Sequence, residues 1–252
     1  METGQSKLSP VLLLHGIGAN SLHWRYQLAG LASRFRLIAW NAPGYMLSDN
    51  LRAETPSGRD YSDALDDFLK ALGVARFNVV ANSFGTRVVQ SFAYHYPGRI
   101  DRAIFTGTSI ARATSAEERA QALKARAAMI ERGSYAFGER ASALLGAAAS
   151  RTIALVQQTL RATNPAGFMQ AARFLAGDDT PPLGSALTMA LLMIQGEEDR
   201  VTPAAANAEL LARAVPDAKL LMFAGCGHLP EVEAPARVNE LIERHLCACS
   251  KT

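Results

Sequence analysis

The sequence contains little cysteine, and its cysteines form no recognisable framework. There are three, Cys226, Cys247 and Cys249, and two of them lie near the C-terminus. The odd number of cysteines excludes a scaffold held together by disulfides, and their spacing is not typical of metal ligands. Cys226 precedes His228 by two residues, but we interpret it as a packed loop residue. We therefore expect no metal, and a reducing, cytoplasmic compartment.

Long apolar runs and clusters of like charge are also missing. No stretch approaches the length of a membrane span, and residues 1–7 lack an apolar signal core, so we expect neither an anchor nor a secretory leader. The formal net charge is +3, and the arginines are scattered without interleaved aromatic residues. We therefore do not expect a nucleic-acid partner, and we expect a small-molecule substrate.

What the sequence does contain is the alternation of an α/β protein. It has 252 residues, 49% hydrophobic and 19% charged, which suits one well-buried domain with a sizeable insertion. Short apolar runs alternate with amphipathic segments up to about Ile110, which predicts a mainly parallel sheet with helices on both faces. An alanine-rich, helical stretch then interrupts the alternation. We predict a core of residues 1–110 and 185–252 and a helical insertion of residues 111–184.

A serine stands at the most informative position in the chain. Val79 and Val80 lead into Ala81-Asn82-Ser83-Phe84-Gly85, and an amphipathic segment follows at once. This arrangement predicts a nucleophile elbow, a strained turn between strand and helix that exposes the serine hydroxyl. The small residues on either side leave room for the strand and helix to crowd together. We predict Ser83 as the nucleophile.

Two more acid-base residues follow predicted strands further along the chain. Asp199 follows an apolar run that ends at Gln195, and His228 follows one that ends at Phe223. A serine hydroxyl needs an imidazole to accept its proton, and the imidazole needs a carboxylate to orient it. The order serine, aspartate, histidine is the one that α/β-hydrolases use. Glu197 and Glu198 are neighbouring rivals for the acid.

With these motifs the chain resembles the capped α/β-hydrolases, which include lactonases, esterases and carbon–carbon bond hydrolases. The resemblance implies a sheet of about six strands, with the insertion as a helical cap and the usual N-terminal hairpin reduced or absent. The strand at Arg36–Trp40 is then an exposed sheet edge that could support a homo-oligomer. The matching segments are residues 14–18, 41–49, the elbow at 79–86, 196–203 and 225–235.

The resemblance also implies roles for further residues. The backbone amides of Ile17 and Phe84 are the expected oxyanion donors, and His15 is expected to shape the loop that carries Ile17. No cofactor is implied. His23 is expected at the surface, although it could approach the pocket mouth. The candidates for the substrate pocket are Asn82, Met46, Trp24, Phe168, Arg173, Val201 and Leu229.

These residues predict a serine hydrolase that cleaves a carboxylic ester or lactone of a small to medium apolar substrate. Carbon–carbon cleavage of an aromatic ring-fission product is the alternative, and a non-catalytic ligand-binding homologue is another. Asn82 favours the carbon–carbon hydrolases, which resemble this chain in carrying asparagine before the serine. Leu229, where they tend to have tryptophan, argues against them, and Arg173 is only a weak candidate for their cap arginine.

Overall fold

The structure is a computed structural model that describes residues 1–111, 115–147, 150–177 and 182–247. Its centre is a seven-stranded sheet in the order β1-β3-β2-β4-β5-β6-β7. All neighbouring strands are parallel except β1, which pairs antiparallel with β3. The strands are β1 (Glu2–Thr3), β2 (Pro10–Leu14), β3 (Arg36–Trp40), β4 (Phe77–Asn82), β5 (Ile100–Thr106), β6 (Ala190–Gly196) and β7 (Lys219–Phe223).

The short strand β1 corrects one expectation about the sheet edge. Six parallel strands are present as expected, but β3 is not an edge strand, because Glu2 pairs with Ile38 and Thr3 with Leu37. The two residues of β1 stand where we expected the N-terminal hairpin to be reduced or absent. The prediction of self-association through an exposed β3 therefore loses its basis.

The helices lie on both faces of the sheet and in one insertion. They are α1 (Arg25–Leu31), α2 (Gly58–Ala71), α3 (Phe84–His95), α4 (Ala116–Glu131), α5 (Ser134–Glu139), α6 (Ala141–Leu144), α7 (Ser150–Arg161), α8 (Pro165–Ala176), α9 (Ala208–Ala214), α10 (Pro230–Glu233) and α11 (Pro235–Cys247), with 3-10 turns at Ser21–Trp24 and Ala204–Ala206. None of the helices in the described ranges combines the length and apolarity needed to cross a bilayer.

The parallel strands send alternate side chains into two different cores, as the two-residue period of a strand requires. In β2, Leu12 and Leu14 enter the core that α2, α3 and α9 cover. Val11 and Leu13 enter the core that α1 and α11 cover. Because both faces are buried, the strand appears in the sequence as a continuous apolar run.

The helical insertion, defined here as the described residues 115–147 and 150–177, lies between β5 and β6. Phe137, Leu160 and Phe168 of the insertion pack with Leu229 and Val232, which follow β7, in a third apolar cluster. The insertion therefore covers the loop that carries His228. Residues 112–114 and 178–181 lie outside the described ranges, so the boundaries predicted at 111 and 184 stay predictions.

Two glycines allow backbone-to-backbone contact between the insertion and the core. A Cβ atom on Gly167 in α8 would lie 2.1 Å from the carbonyl oxygen of Gly44. A Cβ atom on Gly44 would lie 2.4 Å from Cα of Gly167, and Gly44 has a positive φ of 81°. Real Cβ atoms do not approach other atoms so closely, so both positions require glycine.

Candidate active site

Ser83 occupies the sharp turn between β4 and α3. Its φ of 51° and ψ of −113° lie outside the ordinary regions for a residue with a side chain. The turn is held by the amide of Ser83, which donates to Thr106 O at 3.2 Å. A Cβ atom on Gly85 would lie 2.6 Å from Leu14 O, which explains the small residue there. The elbow geometry predicted from the sequence is therefore present.

His228 and Asp199 meet at the carboxyl end of the sheet. Nδ1 of His228 lies 2.8 Å from Oδ2 of Asp199, and both side chains are buried. The other carboxylate oxygen accepts hydrogen bonds from the amides of Val201 and Thr202, at 2.8 and 2.9 Å. Burial alone would raise the pKa of Asp199, but hydrogen bonds and charge from His228 and hydrogen bonds from Thr202 outweigh it and lower the pKa to about 2. Asp199 is therefore ionised at neutral pH.

Gln195 is a site residue that the sequence analysis missed. Its Nε2 donates to Asp199 Oδ2 at 2.6 Å and to Thr202 O at 2.9 Å, and its Oε1 accepts from the amide of Thr108 at 3.1 Å. The sequence signal that could have revealed it is a single polar residue near the end of an otherwise apolar strand, and the structure buries this residue fully. Gln195 fixes the carboxylate oxygen that faces His228.

The hydroxyl of Thr202 also lies between the acid and the base. Its Oγ1 donates to Asp199 Oδ2 at 2.9 Å and lies 3.1 Å from His228 Nδ1. Oδ2 thus has three partners. Two of them, Gln195 and Thr202, lie within four residues of Asp199 in the chain. The carboxylate has little freedom to turn away from His228.

Asn82 connects the elbow with the histidine loop. Its Nδ2 donates to His228 O at 3.1 Å and to Thr106 O at 3.3 Å. Its Oδ1 is buried without a partner in the described part of the chain. A Cβ atom on Gly16 would lie 2.6 Å from that oxygen. Asn82 therefore positions the backbone of His228 and leaves one acceptor at the wall of the cavity described next.

One cavity brings the predicted catalytic residues together. It encloses about 520 Å³ of empty space, counting its opening to solvent, and Ser83 and His228 both line it. Ile17, Asn82, Val201 and Leu229 also line it. The insertion contributes mainly aliphatic side chains: Leu144, Leu155, Val156 and Leu160. The insertion thus gives its side of the cavity a largely apolar wall opposite Ser83 and His228.

Four pocket candidates do not line this cavity. Trp24 is fully buried in the core beneath α1 and α11, and Phe168 is buried in the apolar cluster of the insertion. Met46 is 42% exposed on a loop, and Arg173 donates to Glu54 O at 2.7 Å. The sequence could not show which neighbour each of these four side chains would meet.

The loop after β2 carries Ile17 at the cavity and is held by His15. Burial lowers the pKa of His15 to about 4, so its ring is neutral at pH 7. Its Nε2 accepts from the amide of Ala42 at 3.2 Å, and its Nδ1 therefore carries the proton and donates to Gly16 O at 2.9 Å. His15 shapes the loop, as expected. The amide of Phe84 lies at the first residue of α3, directly after Ser83.

His23 corrects another expectation, because it is buried and not at the surface. It lines the cavity, and its Nε2 lies 2.5 Å from Oε1 of Glu231, whose side chain is fully buried. The ring of Trp24 meets the ring of His23 edge to face at 5.2 Å. The thiol of Cys226 is buried, as expected for a packed residue, and burial raises its pKa to about 11.

Comparison with known families identifies the fold. The family described as the alpha/beta hydrolase fold matches residues 9–235. The chain belongs to this family. It is therefore a hydrolase, and the expected fold is confirmed.

Individual relatives differ in the reactions that their names state. An uncharacterised protein of Mycobacterium tuberculosis is 28% identical, over 94% of this chain and 74% of its own. The 2-hydroxy-6-oxo-6-phenylhexa-2,4-dienoate hydrolase of Comamonas testosteroni is 26% identical over 92% of this chain and 85% of its own. A thermophilic esterase from Thermogutta terrifontis has a similar structure, with a TM-score of 0.86 at 24% identity, covering 98% of this chain and 91% of that one.

Proposed function

We propose that the protein hydrolyses a carboxylic ester or lactone through an acyl-enzyme on Ser83. The observation that carries the proposal is the convergence of a strained Ser83 and a buried Asp199–His228 pair on one cavity. A serine nucleophile, a base and an acid that orients the base are what acyl transfer requires. The aliphatic lining supports a small or medium apolar substrate.

In this mechanism Ser83 Oγ attacks the carbonyl carbon while His228 accepts the hydroxyl proton. Asp199 stabilises the imidazolium that forms, and Gln195 and Thr202 hold Asp199 in place. The amides of Ile17 and Phe84 donate to the oxyanion of the tetrahedral intermediate. His228 then gives its proton to the leaving oxygen, and the acyl group remains on Ser83.

The second half of the reaction releases the acid. His228 removes a proton from water, and the hydroxide attacks the acyl carbon of the ester on Ser83. The second tetrahedral intermediate collapses, Ser83 Oγ leaves with the proton that His228 held, and the enzyme returns to its starting state. No co-reactant other than water is needed.

Removal of the nucleophile tests the proposal. Ser83→Ala should keep less than a few per cent of wild-type turnover of a 4-nitrophenyl butyrate or a small lactone. His228→Ala should lose about as much, and the double variant little more, because the residues act as a unit. Ser185→Ala, which changes an exposed serine, is the matched control. Substantial activity in Ser83→Ala, or none in the wild type with any acyl substrate, would overturn the proposal.

Carbon–carbon bond hydrolysis is the second candidate, and Asn82 favours it. Its unpartnered Oδ1 at the cavity wall could accept a hydrogen bond from a hydroxyl of a ring-fission product. The name of the Comamonas relative also indicates a dienoate substrate. Leu229, not an aromatic residue, lines the cavity beside His228. We therefore expect kcat/KM for a small ester or lactone to exceed that for a ring-fission dienoate, and the reverse ranking would reverse our choice.

A further inference from the structure

Arg140 places an unpaired guanidinium group at the wall of the cavity that holds Ser83. The residue lies between α5 and α6 of the insertion and lines the cavity together with Ser83 and His228. Its Nη1 is buried and has no hydrogen-bond partner in the described ranges. A buried donor without an acceptor is unfavourable, because it has lost its hydrogen bonds with water. A ligand with a hydrogen-bond acceptor could therefore supply the partner that Arg140 Nη1 lacks.

The charges around Arg140 leave it uncompensated. The described residues that line the cavity include Arg25, Arg140 and two histidines, but no aspartate or glutamate. Burial, and then repulsion from Arg126, lower the pKa of Arg140 to about 10, so it remains protonated at neutral pH. The face of the Phe168 ring, 5.5 Å from the guanidinium carbon, is the favourable contact that the structure shows.

The other arginine at the cavity is already engaged. Arg25 donates through Nε to Leu22 O at 2.7 Å and through Nη2 to Thr159 Oγ1 at 2.9 Å. These contacts join the core to α7, which gives Arg25 a structural role. Arg140 is therefore the cavity-lining arginine with a buried donor that has no partner among the described residues.

The guanidinium also lies close to the place where the carbonyl should react. A Cβ atom on Gly18 would lie 2.9 Å from Arg140 Nη1. Gly18 follows Ile17, whose amide is a proposed oxyanion donor, and successive Cα atoms are about 3.8 Å apart. A group bound at Arg140 is thus separated from the reacting carbonyl by a short chain.

We propose that Arg140 binds a carboxylate carried on the acyl part of the substrate, a few bonds from the carbonyl that Ser83 attacks. A planar guanidinium matches a carboxylate, which can accept two of its N–H groups. The substrate is then a half-ester or lactone of a short dicarboxylic acid, apolar elsewhere. This inference rests on the proposed function, since it places the carboxylate relative to that reaction.

Two esters of the same size and shape test the proposal. Monomethyl succinate carries a carboxylate where methyl 4-methylpentanoate carries an isopropyl group, and base uptake at constant pH measures the hydrolysis of both. Arg140→Met should lower kcat/KM for monomethyl succinate by about tenfold to a hundredfold more than for the neutral ester, as expected for a lost charged hydrogen bond. Arg140→Lys should recover part of that difference.

The insertion also offers a matched control. Arg161 lies over the ring of Tyr135, with its guanidinium carbon 5.3 Å from the ring centre, and does not line the cavity. Arg161→Met should keep the wild-type ratio between the two esters. If Arg140→Met alters both esters equally, or leaves the ratio unchanged, the assignment of Arg140 is overturned while ester hydrolysis stands. If Arg140→Met does not fold, the ratio of kcat/KM for the two esters in Arg140→Gln and Arg140→Lys tests the assignment instead.

A binding measurement separates failure of this inference from failure of the proposed function. If the wild type hydrolyses neither ester, calorimetry can measure the binding of monomethyl succinate to Ser83→Ala and so test the carboxylate site by itself. Binding to Ser83→Ala that is lost in Ser83→Ala/Arg140→Met supports the carboxylate site although ester hydrolysis has failed. Equal binding to the two variants, or none to either, overturns the site.

Discussion

Replacing Gln195 tests whether the amide that holds Asp199 matters for catalysis. Gln195→Met keeps the length of the side chain but removes the donor 2.6 Å from Asp199 Oδ2. That hydrogen bond to a charged group is worth about 1.5–3 kcal/mol. Oδ2 is the oxygen that faces His228, so its displacement should lower kcat by about tenfold to a hundredfold with little change in KM.

The same change has a cost in stability that must be separated from the effect on rate. Gln195→Met also leaves the amide of Thr108 and the carbonyl of Thr202 without their buried partner. Each unsatisfied group costs about 1–3 kcal/mol, so we expect the free energy of unfolding to fall by about 2–6 kcal/mol. Urea denaturation gives this loss, and kcat is measured where the variant is fully folded.

A second substitution distinguishes positioning from mere support of the fold. In Gln195→Glu the neutral carboxyl still donates to Asp199 and accepts from Thr108, whereas the ionised form places a second negative charge beside Asp199. Burial and Asp199 both raise the pKa of the introduced carboxyl. Activity should therefore fall as the pH rises through that raised pKa, which adds an alkaline limb that we do not expect in the wild type.

Gln170 provides the control for both variants. It is also buried, and its Nε2 donates to Leu51 O and Ala53 O at 2.8 Å, away from Asp199. Gln170→Met should lose stability without a matching loss of kcat. The reasoning is refuted if folded Gln195→Met has the kcat of Gln170→Met and Gln195→Glu keeps the wild-type pH profile.

Two further predictions concern stability. The lowered pKa of Asp199, about 2 in the fold against about 3.9 in an unfolded chain, stabilises the protein by about 2 kcal/mol above pH 4, and this contribution is lost as the pH falls towards 2. The difference in unfolding free energy between wild type and Asp199→Asn should therefore narrow over that window in urea titrations, and a constant difference would contradict it. Gly167→Ala should lower the melting temperature by several degrees, because its Cβ would lie 2.1 Å from Gly44 O. Gly133→Ala should cost less, because a Cβ at this half-buried position would meet no atom within 4 Å, although φ is positive there.

The elbow and the order of the acid and base could be predicted because each depends on local sequence. The small residues around Ser83, the apolar strand before it and the helix after it lie within a few positions of one another. The same holds for Asp199 and His228, each of which directly follows a strand. Parallel strands bring their carboxyl ends to one edge, so local patterns were sufficient to place the three residues together.

The missed features depend on contacts between distant segments. Arg140 meets the loop at Gly18, more than a hundred residues earlier, and nothing near Arg140 in the sequence marks it as different from the other arginines of the insertion. His23 is buried against Glu231, more than two hundred residues later in the chain. Strand β1 has only two residues, too few for a period to be recognised. Phe168, a candidate for the substrate pocket, is instead buried in the apolar cluster that the insertion forms with Leu229 and Val232.

The contact between Gly44 and Gly167 restricts how this enzyme could be recombined with its relatives. An engineer who wished to change substrate preference would transplant the whole insertion from another member of the family. The backbones at Gly44 and Gly167 touch with no space for a side chain. A donor insertion with any larger residue at position 167 would therefore not pack against this core. The unit of exchange is therefore the insertion together with the loop at residues 41–49, although the two are far apart in the gene.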